Sequence, residues 1–565
     1  MRTHRAREHP ERRSYACKSL FESTIIGPIS IKEVHGGNCS ILFQDGVGSC
    51  GRVDAGFAVA ASQYRCNQLY PAQVQLRWAQ VLVLSSLPVH RGCKMRVLQD
   101  GLFSAVLSGG FLLSCLIYSR VTREQRTPYM DEIFHVQQAQ QYCAGRFREW
   151  DPMITTLPGL YLVSIGIVKP TAWLLGWTGR VVCSTAMLRF VNLLFSVGNL
   201  YLLYSIICKI HYRDKGVTSF KRILSAFTLS MFPVLYFFTF LYYTDTGSTF
   251  FVLFSYLMCL SGNHKAAALL GFGAVWFRQT NIIWTLFCGG GLAAERLTEA
   301  WTSELKKDDR HAPLKGSLSE VARGIQFLIN HLMKFTNLKA LIFLTWPYLV
   351  VVFQFFFFVA VNGGIVVGDR SNHEACLNVP QVFYFLAFTL AFSSPCLLLS
   401  PRRIQDFLQS VWRQPVRYAV LTAAFLLLVW KCTHVHKYLL ADNRHYTFYI
   451  WQRIFQKHAL AKFVAVPVYV FAGWSFVNEL KSKSVFWNLM FLACLLAATI
   501  PQKLLEFRYF ILPYLIYRLN VNVPSVPKLL LELALYSAVN AVTLHFFLNR
   551  TFQWPDSEET QRFMW

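Results

Sequence analysis

"MRVLQDGLFSAVLSGGFLLSCLIYSR", residues 95 to 120, starts on a short basic segment and runs directly into an apolar stretch over residues 99 to 119. A bilayer hydrocarbon core is crossed by about 20 helical residues, so this stretch predicts a first membrane span. About ten residues beyond it comes "YMDEIFHVQQAQQYC", residues 129 to 143, where two carboxylates, Asp131 and Glu132, stand side by side at the membrane boundary. Ionisable groups at such places are costly and tend to be functional. A solvated helix start, where acidic residues are favoured, explains the pair about as well on spacing alone.

Further apolar runs fall near 184–208, 222–242, 248–261, 265–277, 282–296, 340–361, 380–400, 418–432, 463–477, 484–500, 508–519 and 529–548. The composition agrees: 54% of the 565 residues are hydrophobic and only 15% are charged, against about one quarter charged in soluble chains. The prediction is an all-α polytopic membrane protein with about 12 to 14 transmembrane helices. A net charge of +25 would point to nucleic acid in a soluble protein. Here the Lys and Arg sit mainly in the loops, as topology signals do, so no nucleic-acid partner is expected. The fifteen Cys include no CxxC pair and no zinc-type spacing, and no metal or other cofactor is expected. Cys115, Cys208, Cys259 and Cys494 read as small core residues.

Residues 1 to 94 differ in kind. They contain no apolar signal segment followed by a small-residue cleavage site, and Met95 opens the first span. The reading is a gene-model extension or a disordered tail, with residues 95 to 565 forming one integral membrane domain.

"LPGLYLVSIGIVKPTAWLLGW", residues 157 to 177, is apolar enough to span but contains Lys169 and several Gly and Pro breaks. If it lies in the interface or re-enters, the basic loops at 209–222, 296–339, 401–417 and 481–483 share the face of the N-terminus, the positive-inside arrangement. If it spans, every later loop changes side. The first choice gathers "YMDEIFH", "YYTDTGS", "FRQTN", "NGGIVVGDRSNHEACLNVP", "KCTHVHKYLLADNRHYTFYIWQR" and "PQKLLEFRYF" on the opposite face. These segments hold most of the concentrated polar chemistry.

A positioned carboxylate such as Asp131 or Glu132 can act as general base. A phosphate leaving group would need cations and donors, for which Arg278, Arg370, His373, His434, His436, Lys437, Arg444, His445, Lys503 and Arg508 are candidates; headgroup snorkelling explains some Lys and Arg equally well. Asp442 to His445, amid aromatics in "KYLLADNRHYTFYIW", suit sugar recognition. No phosphate-binding GxxxxGK[ST], GxGxxG or GxSxG motif occurs, which leaves nucleotide and serine-hydrolase chemistry without support.

"PYMDEIFHVQQAQQYC", "WDPMITTLPGLY", "FRQTNIIW", "GDRSNHEAC", "HKYLLADNRHYTFYIW", "LLEFRYFILPY" and "TFQWPDSEETQRFMW" closely resemble the family of dolichyl-phosphoglucose-dependent alpha-1,2-glucosyltransferases of the endoplasmic reticulum, from about Met95 to Trp565. The resemblance implies a GT-C glycosyltransferase with luminal loops forming the active site, and transfer of the last glucose from dolichyl phosphate beta-glucose to the diglucosylated dolichyl-diphosphate oligosaccharide, with inversion, for protein N-glycosylation. On that basis Asp131, with Glu132 second, is the expected catalytic base. Arg370, His373, Arg444, His445 and Arg508 would meet the phosphate, and Asp442 and Glu506 the sugar hydroxyls. The alternatives are a transporter, against which the mostly apolar spans argue, or a non-catalytic regulatory partner of an ion channel, whose function should survive mutation of these loops.

Overall fold

The computed structural model describes residues 93–177, 182–307, 318–371, 375–398 and 400–565. Of the N-terminal extension, residues 1 to 94, all but the last two lie outside the described residues. Among the described residues helices joined by loops make up the chain but for one two-stranded hairpin, in which Thr551–Gln553 pairs antiparallel with Thr560–Arg562, and a single bridge between His445 and Met564.

Helix α1 (Cys93–Glu124) carries the first span and stops before Pro128, which cannot continue a helical hydrogen-bond ladder. A short polar helix, α2 (Glu132–Cys143), follows, and then α3 (Gly159–Leu174). Helix α4 (Thr185–Ile210) starts where the Ser184 hydroxyl accepts from the Met187 N–H. The run expected as one span over 222–242 is broken: α5 (Ser219–Ser230) ends, Pro233 opens the short α6 (Pro233–Phe238), and turns follow to Tyr243. Helices α7 (Thr244–Leu260) and α8 (His264–Phe277) form a hairpin closed at Gly262 (φ 79°), and α9 (Ile282–Lys307) follows.

A break inside an apolar bundle strands backbone carbonyls, which must find partners where water is absent. The Asn192 amide in α4 donates to Leu241 O (2.7 Å) and Tyr243 O (2.8 Å), and the Asn540 amide donates to Met231 O (2.7 Å). Helix α4 packs against α7, and α7 against α8. Small residues permit the closeness: a Cβ at Gly198 would stand 2.5 Å from the Phe250 ring.

Among the described residues five helical stretches are long and apolar enough to cross a bilayer: Asp100–Glu124, Thr185–Ile210, Phe335–Asn362, Ala461–Ser482 and Val526–Asn549. Other predicted spans form shorter helices, such as Pro380–Phe392 and Val485–Thr499. The chain is thus an all-α polytopic membrane protein whose apolar runs include several broken or shortened helices.

The 157–177 segment forms α3, 16 residues or about 24 Å long at 1.5 Å per residue. A disulfide joins Cys143, before it, to Cys183, after it, with Cα atoms 6.6 Å apart. One bilayer-crossing helix between them would separate those ends by about 30 Å, so α3 does not span. Trp173, Leu174 and Leu175 at its end are exposed, as in an interfacial segment.

Candidate active site

The acidic pair divides its labour. Met130 adopts the left-handed backbone region (φ 57°), a conformation that costs a residue with a side chain about 1–3 kcal/mol. Beyond it, Asp131 and Glu132 stand at the start of α2, where successive side chains point about 100° apart and meet different surroundings. Glu132 is fully buried and saturated: it accepts from Arg189 Nε (2.8 Å) and Nη2 (2.6 Å), from Tyr242 N (2.6 Å) and from Tyr129 N (3.0 Å). Arg189, on α4, also donates to Gln125 O (2.5 Å) and Thr127 O (3.1 Å). Every charge-assisted bond at this pair holds a turn in place, and no lone pair is left directed at a substrate.

Asp131 has the opposite character. Its backbone N–H donates to the Tyr243 hydroxyl (3.2 Å), while its carboxylate keeps 47% of the side-chain surface accessible and meets Arg508 Nη1 at 3.4 Å. Desolvation would raise this carboxyl, but Arg508 above all, with His135 and His445, outweighs it and holds the group below the usual carboxylate range. His135, one helical turn on, bonds the Tyr161 hydroxyl through Nδ1 (2.6 Å), and burial lowers its basicity despite the pull of Asp131.

Arg508 is the hub. It pairs with Glu506 (2.7 Å) and lies 3.8 Å from Asp245, over the rings of Phe238 and Tyr243. Burial would weaken its hold on the proton, but Glu506, Asp245 and Asp131 reverse that. Asp245, at the start of α7, pairs in turn with Arg278 at 2.5 Å. Beside Arg508 opens a narrow cleft of about 40 Å3, lined among others by Asp245, Arg278, Thr280, Trp284, Gln502 and Tyr509.

The "DNRH" segment reaches the same region. Asp442 grips Arg444 bidentately (2.8 Å to both Nε and Nη2), and its carboxyl, which burial would raise, is held low by Arg444 and His445. The Arg444 guanidinium also donates to Gln561 (3.2 Å) and stacks on Trp554. His445 bonds Trp565 O through Nδ1 (2.8 Å) and is close enough to influence Asp131.

Arg370 is placed differently. It is exposed and donates to the carbonyls of Asn362, Gly363 and Val366, capping the helix Phe335–Asn362. Its loop docks on the Pro-punctuated segment, Asp369 N to Pro152 O at 2.8 Å. His373 lies outside the described residues.

The structure thus gathers Asp131, Glu506 and Arg508, with Asp442, Arg444 and His445 nearby. Sequence reasoning missed Asp245 as a site residue, His135, the buried Arg189 and the Cys143–Cys183 bond. Their signals were present, a polar residue in an apolar run for Arg189 and two cysteines flanking a doubtful span, but neither names its partner. Among the described residues no group of three or more His, Cys, Asp or Glu side chains is placed to hold a metal ion; a guanidinium already fills the centre of the carboxylate cluster.

A multi-pass membrane protein with an accessible carboxylate set against cations at the end of its first span has the layout of a membrane-embedded transferase for lipid-linked substrates. The DIE2/ALG10 family matches residues 125–519, and the chain belongs to it. It is 60% identical over 475 residues to a Mus musculus protein, and 59% identical over 474 residues to a Homo sapiens protein. Each comparison covers 83% of this chain and 100% of the relative. An Arabidopsis thaliana protein is 34% identical over 486 residues, 78% of this chain and 95% of its own length. All three are named Dol-P-Glc:Glc(2)Man(9)GlcNAc(2)-PP-Dol alpha-1,2-glucosyltransferase. No solved structure matches.

Proposed function

We infer that this chain is an alpha-1,2-glucosyltransferase that moves glucose from dolichyl phosphate glucose to the diglucosylated dolichyl-diphosphate oligosaccharide. The observation that carries this is identity of 59–60% across the whole length of relatives with that name. Those names describe a transferase and give no support to a channel partner or a transporter.

Asp131 serves as the base. It takes the proton of the acceptor's 2-hydroxyl, that oxygen attacks C1 of the donor glucose, and the C1–O bond breaks with its electrons passing to the departing dolichyl phosphate. The accessible carboxylate of Asp131 supports this role over the saturated Glu132. Arg508 and His445, whose fields reach Asp131, are the cations best placed for the leaving phosphate. Asp442 holds Arg444, and Glu506 holds Arg508, so both acidic residues orient cations as well as facing the sugar. Arg370 is occupied by the helix end it caps. The Cys143–Cys183 bond supports a site in an oxidising compartment, as the lumen of the endoplasmic reticulum is.

The test uses the purified full chain with dolichyl phosphate glucose and the lipid-linked oligosaccharide already carrying two glucoses. Mass spectrometry should find one added hexose; well-folded protein that adds none would defeat the assignment.

A further inference from the structure

We propose that the helix Pro401–Arg413 lies flat in the bilayer surface opposite the site and binds acidic phospholipid headgroups there. The proposal is independent of the glucosyltransferase reading and gives the protein a second working surface, with lipid as its partner.

Position along the chain sets the level of this helix. The helix Pro415–Lys431 runs from it toward the "DNRH" loop, and its 17 residues measure about 26 Å at 1.5 Å per residue. A hydrocarbon core is about 30 Å thick, so the helix Pro401–Arg413 stands at the membrane surface remote from Asp442 and Arg444. The other basic loops share that surface.

Its sides differ sharply. Phe407 packs on Tyr418, Phe471 and Trp474, which fixes one edge to the bundle, and Arg403 pairs with Glu479 of the helix Val466–Glu479. Beside that edge run Ile404, Leu408 and Trp412, one turn apart in succession, which are 42%, 60% and 86% exposed. A continuous exposed apolar line marks a contact surface. The next helix exposes Val416, Val420 and Leu427 along one side, as a lipid-facing span does, so acyl chains are the neighbours at hand. At about 100° per residue, Arg402 and Arg413 fall on the far side from the apolar line. Both are exposed, and neither makes an ion pair among the described residues.

Charge selects the lipid. Arg402, Arg413 and Arg417 are exposed, Arg417 bonding only the neutral Gln414 (2.9 Å), and Asp406 is the sole acidic residue from 401 to 417. A helix with one apolar face and arginines on the other lies in the interface plane, its apolar side in the acyl boundary, and is drawn to anionic lipid. Guanidinium meets phosphate bidentately. A zwitterionic headgroup brings its own cation to that phosphate, whereas an acidic headgroup keeps a net negative charge. Each arginine near an acidic surface is worth about fivefold in binding.

The experiment places the full chain in nanodiscs of mixed phosphatidylcholine and phosphatidylserine, with brominated acyl chains on one lipid at a time. The signal of Trp412 is the fluorescence difference between wild type and Trp412→Phe. Brominated phosphatidylserine should quench it several-fold more than brominated phosphatidylcholine. In the triple variant Arg402→Gln, Arg413→Gln, Arg417→Gln, which leaves the Arg403–Glu479 pair intact, both lipids should quench equally. Equal quenching already in wild type, or a preference that survives in the triple variant, would overturn the binding of acidic headgroups by these arginines. No quenching by either lipid would overturn the membrane placement and assign the apolar line to a protein partner or a second copy of the chain.

Discussion

At the scale of single residues, two adjacent carboxylates do unlike work because neighbours at the start of α2 point about 100° apart. Asp131→Asn removes the proton acceptor while keeping shape, so transfer should fall by about a hundred- to ten-thousand-fold, with a loss of thermal stability limited to its partly accessible pairing with Arg508. Glu132→Gln should show the reverse emphasis. It leaves the buried Arg189 charge uncompensated, which costs about 3–5 kcal/mol, and the loss should appear first as lower melting temperature and yield. Equal effects of the two variants on stability would contradict this division. The pH dependence follows from Arg508. Asp131 is depressed, so its base form persists through the ordinary carboxylate range near 3.9 and is lost only as pH falls through the lower folded value. Arg508→Gln removes the strongest opposing charge, so the acid limb of kcat/KM should move to higher pH, read on whatever activity remains; an unmoved limb would separate Arg508 from the base.

Elements explain what the sequence made legible and what it hid. The apolar runs announced themselves by composition, and the polar segments gathered at the site are those quoted from the chain. Other features depend on contacts between distant residues. Glu132 finds Arg189 57 positions away inside an apolar run, where a charge reads as an anomaly without a partner. The break at Pro233 is visible, but its cure by Asn192 and Asn540 belongs to other helices. Arg370 resembled a phosphate ligand by type, yet Gly363 in the left-handed region (φ 71°) ends its neighbouring helix and turns those carbonyls toward it. The doubtful 157–177 run was settled by a pair of cysteines, each unremarkable alone. The loop after Phe335–Asn362 offers a test at this scale. Gly368 has φ 72°, and a Cβ there would stand 2.3 Å from Pro152 O. Gly368→Ala should therefore cost about 1–3 kcal/mol and release the loop from residues 152–155, detectable as faster amide exchange in both segments. Wild-type protection in the variant would mean that the close approach is not a constraint.

Across the whole molecule, the C-terminal hairpin ties the first loop to the "DNRH" loop. The Tyr129 hydroxyl donates to Arg562 O (2.9 Å) and accepts from Arg562 N (2.8 Å). The Arg562 guanidinium caps two helix ends at once, donating to Phe547 O (2.7 Å), Leu548 O (3.1 Å) and Glu124 O (3.3 Å), and it also holds Gln125 (2.7 Å). Such cations satisfy terminal carbonyls and oppose the helix dipole. A few residues on, the Met564 N–H donates to Arg444 O (2.9 Å) and its carbonyl accepts from Tyr446 N (3.2 Å), while Trp565 packs on Phe392, Phe507 and Tyr446. The loops bearing Asp131, Asp442 and Arg508 are thus held by one short segment on the polar side of the bundle. Arg562→Ala leaves several acceptors dry, at about 1–3 kcal/mol each, and removes the guanidinium from the Phe547 ring at the edge of the core. Transfer should drop more than tenfold, proteolysis should open the chain within residues 551–565 and the melting temperature should fall, while helical content stays as in wild type. Retained transfer after cleavage there would show that the two loops hold their geometry without the hairpin.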